Sequence, residues 1–270
     1  MIRISAVLPA YNEQEVIDRT VEAVDATLGT LADDYEIIVV DDGSRDATAE
    51  RLAELRQRFA RLRVVTHTHN RGYGAALASG FSAAGMELIF LTDGDKQFDV
   101  AEIGDFLPLP AEVDLYIGYR RPRADPWVRR FYGWGWNLLV NRLFGYTARD
   151  VDCAFKLFRR EVWERTAVRA GGATFSAEFL VKARRLGYQV RERPVRHYPR
   201  PAGSPTGARP AVILRAFREL FRLRLELDRE LAEATAAGGR AAPRRAADGA
   251  PPAGYPQPSA PNPQPPPGGR

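Results

Sequence analysis

Four short apolar runs limit what this 270-residue chain can fold into. Ile2 to Leu8, Glu36 to Val40 and Leu88 to Leu91 are too continuously apolar to show one face to water, so each reads as a buried strand, and Val64-Val65 lies in a further one. Between them apolar residues return at helical spacing: Ile17, Val21, Val24, Leu28 and Leu31, then Leu52, Leu55, Phe59 and Leu62. A third helix, over 75–85, is built almost wholly of small residues, and Ser44 or Asp46 is placed to cap the second. Strands alternating with helices, with almost no two-residue hairpin signals, predict an α/β fold with a mostly parallel sheet covered by helices on both faces.

The second half is less regular. Asp114 to Tyr119 reads as a strand and leads into a loop carrying Arg120, Arg121, Arg123, Arg129 and Arg130. An aromatic-rich helix over 131–144 follows, then Asp150-Val151-Asp152-Cys153-Ala154-Phe155-Lys156, a helix around 176–186 and a strand from Gln189 to Arg196. Pro210 sits where a first-turn proline belongs and opens a helix to about 235, apolar on one side and arginine-rich elsewhere. Beyond it Ala, Gly, Pro and Gln take over, and residues 243–270 hold half of the 20 prolines. Such a tail buries too little apolar surface to order itself. The expected division is a domain over 1–205, a basic amphipathic helix over 206–235 and a disordered tail over 236–270.

Composition excludes several classes. One cysteine, Cys153, and three histidines rule out a disulfide framework and a Cys/His zinc site, and suggest a reducing, cytoplasmic setting. No stretch supplies the ~20 apolar residues of a membrane-spanning helix, and Met1-Ile2-Arg3-Ile4 enters a strand without the regions of a signal peptide. The net charge of +5 suits phosphorylated substrates, nucleic acid or an anionic membrane surface. No nucleic-acid recognition motif is present, so nucleic acid is not an expected partner.

The acids are the functional signal. Glu13 follows the first strand, Asp41 and Asp42 the second, and Asp93 and Asp95 the fourth. In a parallel sheet these positions share one edge, where ligands of open α/β sheets collect. Asp93-Gly94-Asp95 alone is an ordinary turn. In this company its two carboxylates offer hard oxygen ligands to Mg²⁺ or Mn²⁺, which share coordination with substrate phosphates. A nucleoside diphosphate with its divalent metal answers such a concentration of acids. Gly72-Tyr73-Gly74 lacks the third glycine of a dinucleotide fingerprint, which argues against an NAD site.

Pro9-Ala10-Tyr11-Asn12-Glu13, Asp41-Asp42-Gly43-Ser44, Gly72-Tyr73-Gly74-Ala75-Ala76-Leu77 and Asp93-Gly94-Asp95-Lys96-Gln97, in this order, resemble glycosyltransferase family 2. Within it the chain looks most like the polyprenyl-phosphate sugar synthases of the dolichol-phosphate mannose type, over roughly residues 1–205. The resemblance implies a GT-A, Rossmann-like fold and inverting transfer of a hexose from a nucleotide-sugar, of the GDP-mannose or UDP-glucose type, to a polyprenyl phosphate. Motif by motif it implies Pro9, Tyr11, Glu13 and Asp42 around the nucleoside, with Asp41, Gly72 and Gly74 as further donor-site residues. It implies Asp93, Asp95 and Gln97 as the Mg²⁺ or Mn²⁺ segment, Asp150 to Lys156 near the acceptor, and Arg120, Arg130 and Arg200 on the acceptor phosphate and the diphosphate. Ala154 stands where the family pattern has glycine.

A lipid phosphate arrives already ionised and needs no general base, whereas a hydroxyl acceptor on a glycan, glycolipid or metabolite needs one, for which Asp150 and Asp152 are the candidates. A non-catalytic nucleotide-sugar scaffold is the remaining alternative, and the intact Asp93 and Asp95 pair argues against it. A polyprenyl acceptor implies a peripheral position on the inner face of the cell membrane, through the aromatic helix, the basic 211–229 helix or a membrane-protein partner.

Overall fold

The computed structural model describes residues 1–121, 127–172, 174–199 and 210–236; the Pro-rich tail, Arg200 and the centre of the arginine loop lie outside the described residues. Seven strands, β1 (Arg3–Ala10), β2 (Asp34–Asp41), β3 (Leu62–Thr66), β4 (Leu88–Leu91), β5 (Leu115–Arg120), β6 (Lys156–Arg159) and β7 (Val190–Val195), form one sheet in the order β3-β2-β1-β4-β6-β5-β7. Strands β1 to β4 are parallel, as the alternation of strands and helices requires. The departure from expectation is β6, which runs antiparallel between β4 and β5. Its residues Lys156 to Arg159 sit in a short apolar run with no turn signal, which periodicity alone does not assign.

The sheet's two faces bury different sets of residues. In β1, Ile4, Ala6, Leu8 and Ala10 join one core and Val7 the other; in β2, Tyr35, Ile37 and Val39 oppose Ile38 and Val40. The first core is covered by α1 (Ile17–Leu31), α2 (Thr48–Arg58) and a 3-10 helix (Val100–Phe106) that the sequence pattern does not announce. The second lies under α3 (Tyr73–Ala83), α4 (Trp127–Phe144), α5 (Arg160–Thr166), α6 (Phe175–Arg185) and α7 (Pro210–Ala236). The α7 helix packs back onto the sheet layer through Ala216, Leu220, Leu223 and Leu227, all buried. Arg224 Nη1 donates to the Leu143 carbonyl at the end of α4.

Small residues in α3 let it approach the sheet. A Cβ on Gly80 would lie 2.4 Å from Val7 Cγ1 and 3.0 Å from Val40 Cγ2. Of the two residues expected to cap α2, Asp46 serves its first turn, Oδ1 accepting from Thr48 N at 3.0 Å, while Ser44 Oγ accepts from Asn12 N at 3.0 Å. Gly80→Ala is expected to overpack this interface and lower unfolding free energy by ~1–3 kcal/mol. Urea denaturation with an unchanged m-value would register it as a shift in midpoint.

Candidate functional site

The parallel strands deliver their carboxyl ends to one edge, and antiparallel β6 delivers its amino end there. Residues that follow β1, β2, β4, β5 and β7 therefore meet the segment that precedes β6. The loops after β1 and β2 are bound to each other: Asn12, in the left-handed region at φ 57°, accepts from Arg45 N, and Thr48 Oγ1 accepts from Glu13 N. Pro9, Tyr11 and Glu13 remain half-buried along this rim.

Asp41 and Asp42 are both buried. Asp41 Oδ1 accepts from Ser44 N at 2.9 Å, closing a turn in which Gly43 has φ 69° and a Cβ would lie 2.5 Å from the His69 carbonyl carbon. Asp42 holds the next loop: its Oδ1 is 2.7 Å from His67 Nδ1 and accepts from Arg71 N, and its Oδ2 accepts from Gly72 N at 2.8 Å. His67 Nε2 reaches Ser79 Oγ at 2.9 Å on α3. Gly72 takes φ 94° at the start of α3. Gly74 packs against another loop, since a Cβ there would lie 2.8 Å from the Gly171 carbonyl carbon and 2.8 Å from Phe175 Cβ.

Asp93 and Asp95 stand at the end of β4. Gly94 between them is tucked under β1, with a Cβ position 3.1 Å from the Pro9 carbonyl, and its own carbonyl accepts from Thr20 Oγ1 at 3.0 Å. Asp95 is buried and accepts from Gln97 N, while half-buried Asp93 accepts from Tyr73 Oη at 3.1 Å. Gln97 pairs with the chain leaving β7, donating from Nε2 to the Tyr198 carbonyl. Its carbonyl oxygen is the one atom this amide could offer a cation. Among the described residues no cluster of three or more His, Cys, Asp or Glu forms a metal cage. Two carboxylates and an amide oxygen fit a hard divalent ion that takes its other ligands from water and phosphate.

Across the edge, Arg120 forks onto Asp150, with Nε to Oδ2 at 2.7 Å and Nη2 to Oδ1 at 2.6 Å. Burial opposes the arginine's charge, but these two bonds outweigh it and hold its pKa above the usual value. The segment carrying Asp150 hangs from α4, since Asn137 Oδ1 accepts from Val151 N and Asn141 Oδ1 from Thr147 N. Asp152 is exposed, yet protein crowds its carboxyl. This loss of hydration, with Asp150 beside it, raises its pKa from 3.8 to about 6 against the pull of Lys156 and Arg120. Lys156 is buried and donates to the Cys153 carbonyl. Burial lowers its pKa, while Cys153, Asp152, Asp150 and Asp93 act in the opposite sense. Burial and Asp150 push the Cys153 thiol up to about 12, so it is not a nucleophile near neutral pH.

The edge thus gathers Asp93, Asp95, Asp150, Asp152 and Arg120 with two groups whose parts are not evident in the sequence, Tyr73 and Lys156. Tyr73 is 40% exposed, and crowding by protein, then Asp93, Asp152 and Asp95, all raise its pKa, which places this phenol amid three carboxylates. The only sequence signals are its place between Gly72 and Gly74 and, for Lys156, a lysine inside an apolar run. Arg130 stands on the exposed side of α4 beside Phe131, and Arg200 lies outside the described residues. A cavity of about 270 Å³ lies between Thr20, Ala23 and Thr27 of α1 and Asp93, Lys96 and Asp99. It falls just short of the ~300–1,000 Å³ of whole-ligand pockets, so a nucleotide-sized ligand would extend over the open edge.

Residues 5–166 match the family model described as Glycosyl transferase family 2. Among curated proteins, the dodecaprenyl-phosphate galacturonate synthase of Rhizobium johnstonii is 33% identical over 168 residues, 60% of this chain and 49% of that protein. Glycosyltransferase AglD of Haloferax volcanii is 33% identical over 208 residues, 72% of this chain and 33% of its own. The undecaprenyl-phosphate 4-deoxy-4-formamido-L-arabinose transferase of Serratia proteamaculans is 32% identical over 165 residues, 60% of this chain and 50% of that protein. The chain thus spans from a third to half of the length of these relatives. Among solved structures, glucosyl-3-phosphoglycerate synthase from Mycobacterium tuberculosis, in complex with Mn²⁺, UDP and glucosyl-3-phosphoglycerate, superposes with a TM-score of 0.64 at 20% identity. That match covers 82% of this chain and 80% of the other, and it shows a shared GT-A fold.

Two outcomes test this description. Asp42→Ala leaves the His67 ring and two backbone N–H groups without their acceptor, and is expected to cost ~2–4 kcal/mol of stability, read by thermal and urea unfolding. The Asp152 carboxyl is expected to titrate near pH 6 in carboxyl-carbon NMR, and lower in Asp150→Asn. Because the folded form holds this proton to higher pH than the unfolded chain does, the group's contribution to stability falls as pH rises from about 4 to 6.

Proposed function

The chain belongs to glycosyl transferase family 2, and from that premise we propose that it moves a hexose from a nucleotide-sugar to a polyprenyl phosphate with inversion at the anomeric carbon. The observation that carries the reading is the meeting, at one sheet edge, of the Asp93 and Asp95 pair with the Arg120, Asp150 and Lys156 group. One side supplies oxygen ligands and the other a fixed framework in which the Arg120 fork holds Asp150 beside Lys156. Two of the three curated relatives named above bear names of polyprenyl-phosphate enzymes, which favours a lipid phosphate as the acceptor.

In the proposed reaction an acceptor phosphate oxygen forms a bond to the anomeric carbon as the bond to the nucleoside diphosphate breaks, and the diphosphate leaves with the electron pair. Asp93, Asp95 and the Gln97 carbonyl would hold a Mg²⁺ or Mn²⁺ ion, which offsets negative charge growing on the leaving group. Tyr73 orients Asp93, and Gln97 N fixes Asp95, so both carboxylates are set before ligand arrives. Pro9, Tyr11 and Glu13 border the donor, with Asp41 and Asp42 shaping its floor through the loops they close. Arg120 acts mainly by fixing Asp150, and Lys156, buried beside the same segment, bonds the Cys153 carbonyl and is the amine nearest the proposed acceptor side. Arg130, exposed on α4, and Arg200, which lies outside the described residues, are the further proposed phosphate contacts. No helix among the described residues is long and apolar enough to cross a membrane, and the proposed chain works at the inner membrane face as a peripheral protein.

One observation favours a second reading. Asp152 reaches solvent and titrates near pH 6, which suits a general base for a hydroxyl acceptor.

The experiment is transfer of label from GDP-mannose and UDP-glucose to polyprenyl phosphate, with Mn²⁺ or Mg²⁺ and with EDTA. Asp95→Ala and chelator are each expected to lower lipid labelling by roughly 100-fold or more. Asp152→Asn distinguishes the acceptors: a phosphate acceptor predicts a change in kcat of less than about tenfold, and a hydroxyl acceptor a loss of about 10²–10⁴. Absence of donor binding by folded protein would overturn both readings.

A further inference from the structure

The α4 helix has an inner and an outer face. The inner face carries Asn137, Asn141 and buried Val140, which hold the segment bearing Asp150 and Asp152. The outer face should be polar in a helix that ends at water. Instead Trp127, Phe131, Trp134 and Leu138, spaced i, i+4, i+7 and i+11 along one stripe, are each more than half exposed. On α7, Phe217, Phe221 and Leu225 repeat the pattern at i, i+4 and i+8, opposite the buried Ala216, Leu220, Leu223 and Leu227. The two stripes adjoin where the Trp136 and Phe217 rings stand 6.2 Å apart and Arg224 bonds the Leu143 carbonyl.

Charge identifies the occupant. The α4 sequence contains no acid. Among the side chains described on the two helices, every exposed charged residue is an arginine: Arg130, Arg142, Arg218, Arg222 and Arg229. Glu219 turns inward to accept from Thr174 Oγ1, and Asp228 is paired with Arg224. An apolar stripe rich in Trp and Phe, flanked by five exposed arginines and with Asp228 neutralised by Arg224, matches the interface of an anionic bilayer, where aromatic rings settle at headgroup depth and arginines meet lipid phosphates.

We propose that the outer faces of α4 and α7 together dock this protein on an anionic lipid surface. The inference names the partner of the proposed lipid-phosphate transferase and rests on that reading for its purpose, though not for its physics. Docked this way, α4 lies between the bilayer and the Asp150 segment that it carries, which brings the acceptor side of the edge close to the headgroups.

The test is co-sedimentation of the full chain with vesicles of phosphatidylcholine alone and of phosphatidylcholine with phosphatidylglycerol. Wild type is expected to bind the anionic vesicles, and more weakly as salt rises. Phe131→Asp with Phe221→Asp, and separately Arg218→Glu with Arg222→Glu, are each expected to weaken binding by roughly tenfold or more. Unchanged circular dichroism, and retained transfer to a short, water-soluble prenyl phosphate, would show that the variants are folded and their sites intact. Wild type that ignores anionic vesicles overturns the proposal, as do variants that bind like wild type. So does self-association that Phe131→Asp with Phe221→Asp abolishes while no vesicle binding is seen, which would give the face to a second copy of the chain. Vesicle binding without any glycosyl transfer would leave the docking face standing and remove the proposed reaction.

Discussion

Electrostatic repulsion at one edge of the sheet is the constraint to which the rest of this structure answers. Six aspartates, Asp41, Asp42, Asp93, Asp95, Asp150 and Asp152, stand within a few residues of strand ends that share that edge, and four of them are buried. A buried carboxylate is tolerated only where donors or cations replace its lost water. Asp41 and Asp95 are answered by nearby backbone N–H groups, Asp42 by His67 and the 71–72 backbone, and Asp150 by the Arg120 fork. Asp93 and Asp152 are the two less buried acids, and loss of hydration, with Asp150 beside it, raises the pKa of Asp152.

The solutions to that repulsion also build the site. By gripping Arg71 N and Gly72 N, Asp42 fixes the start of α3, and Tyr73 next in the chain then reaches Asp93 across the edge. The end of β2 and the end of β4 are thereby coupled through one loop. The reversal of β6 does the same for the other half. Only because this strand runs antiparallel do its first residue, Lys156, and the segment before it, with Asp150 and Asp152, arrive at the edge that the parallel strands fill from their carboxyl ends.

Helix α4 connects the site with the surface. Its asparagines suspend the acidic segment on one side, while its outer stripe leaves aromatic area that water does not favour. With α7 packed beside it, the second core is closed on one side of these helices and an apolar, arginine-rimmed face is left on the other.

The amino-acid sequence by itself determined the α/β class, the parallel half of the sheet and the helices over it, because those depend on periodicity, which is local. Order and spacing of Asp41-Asp42-Gly43, Gly72-x-Gly74 and Asp93-Gly94-Asp95 were likewise enough to place acids at one edge and to point to the family. The antiparallel course of β6 was decided only by tertiary structure, since an apolar run says that a strand is buried but not which neighbours it pairs with. So was the division of labour among the acids. Nothing local distinguishes Asp42, occupied by a histidine and two backbone donors, from Asp152, whose pKa is raised to about 6, because the difference lies in burial and in partners such as His67 and Gly72, 25 and 30 residues from Asp42. The choice between α7 packing inward and lying free was settled in the same way: one face fills the core with Leu220, Leu223 and Leu227, and the other keeps its phenylalanines exposed. Burial and charge pairing are properties of the assembled sheet, and a sequence shows only the residues from which they are made.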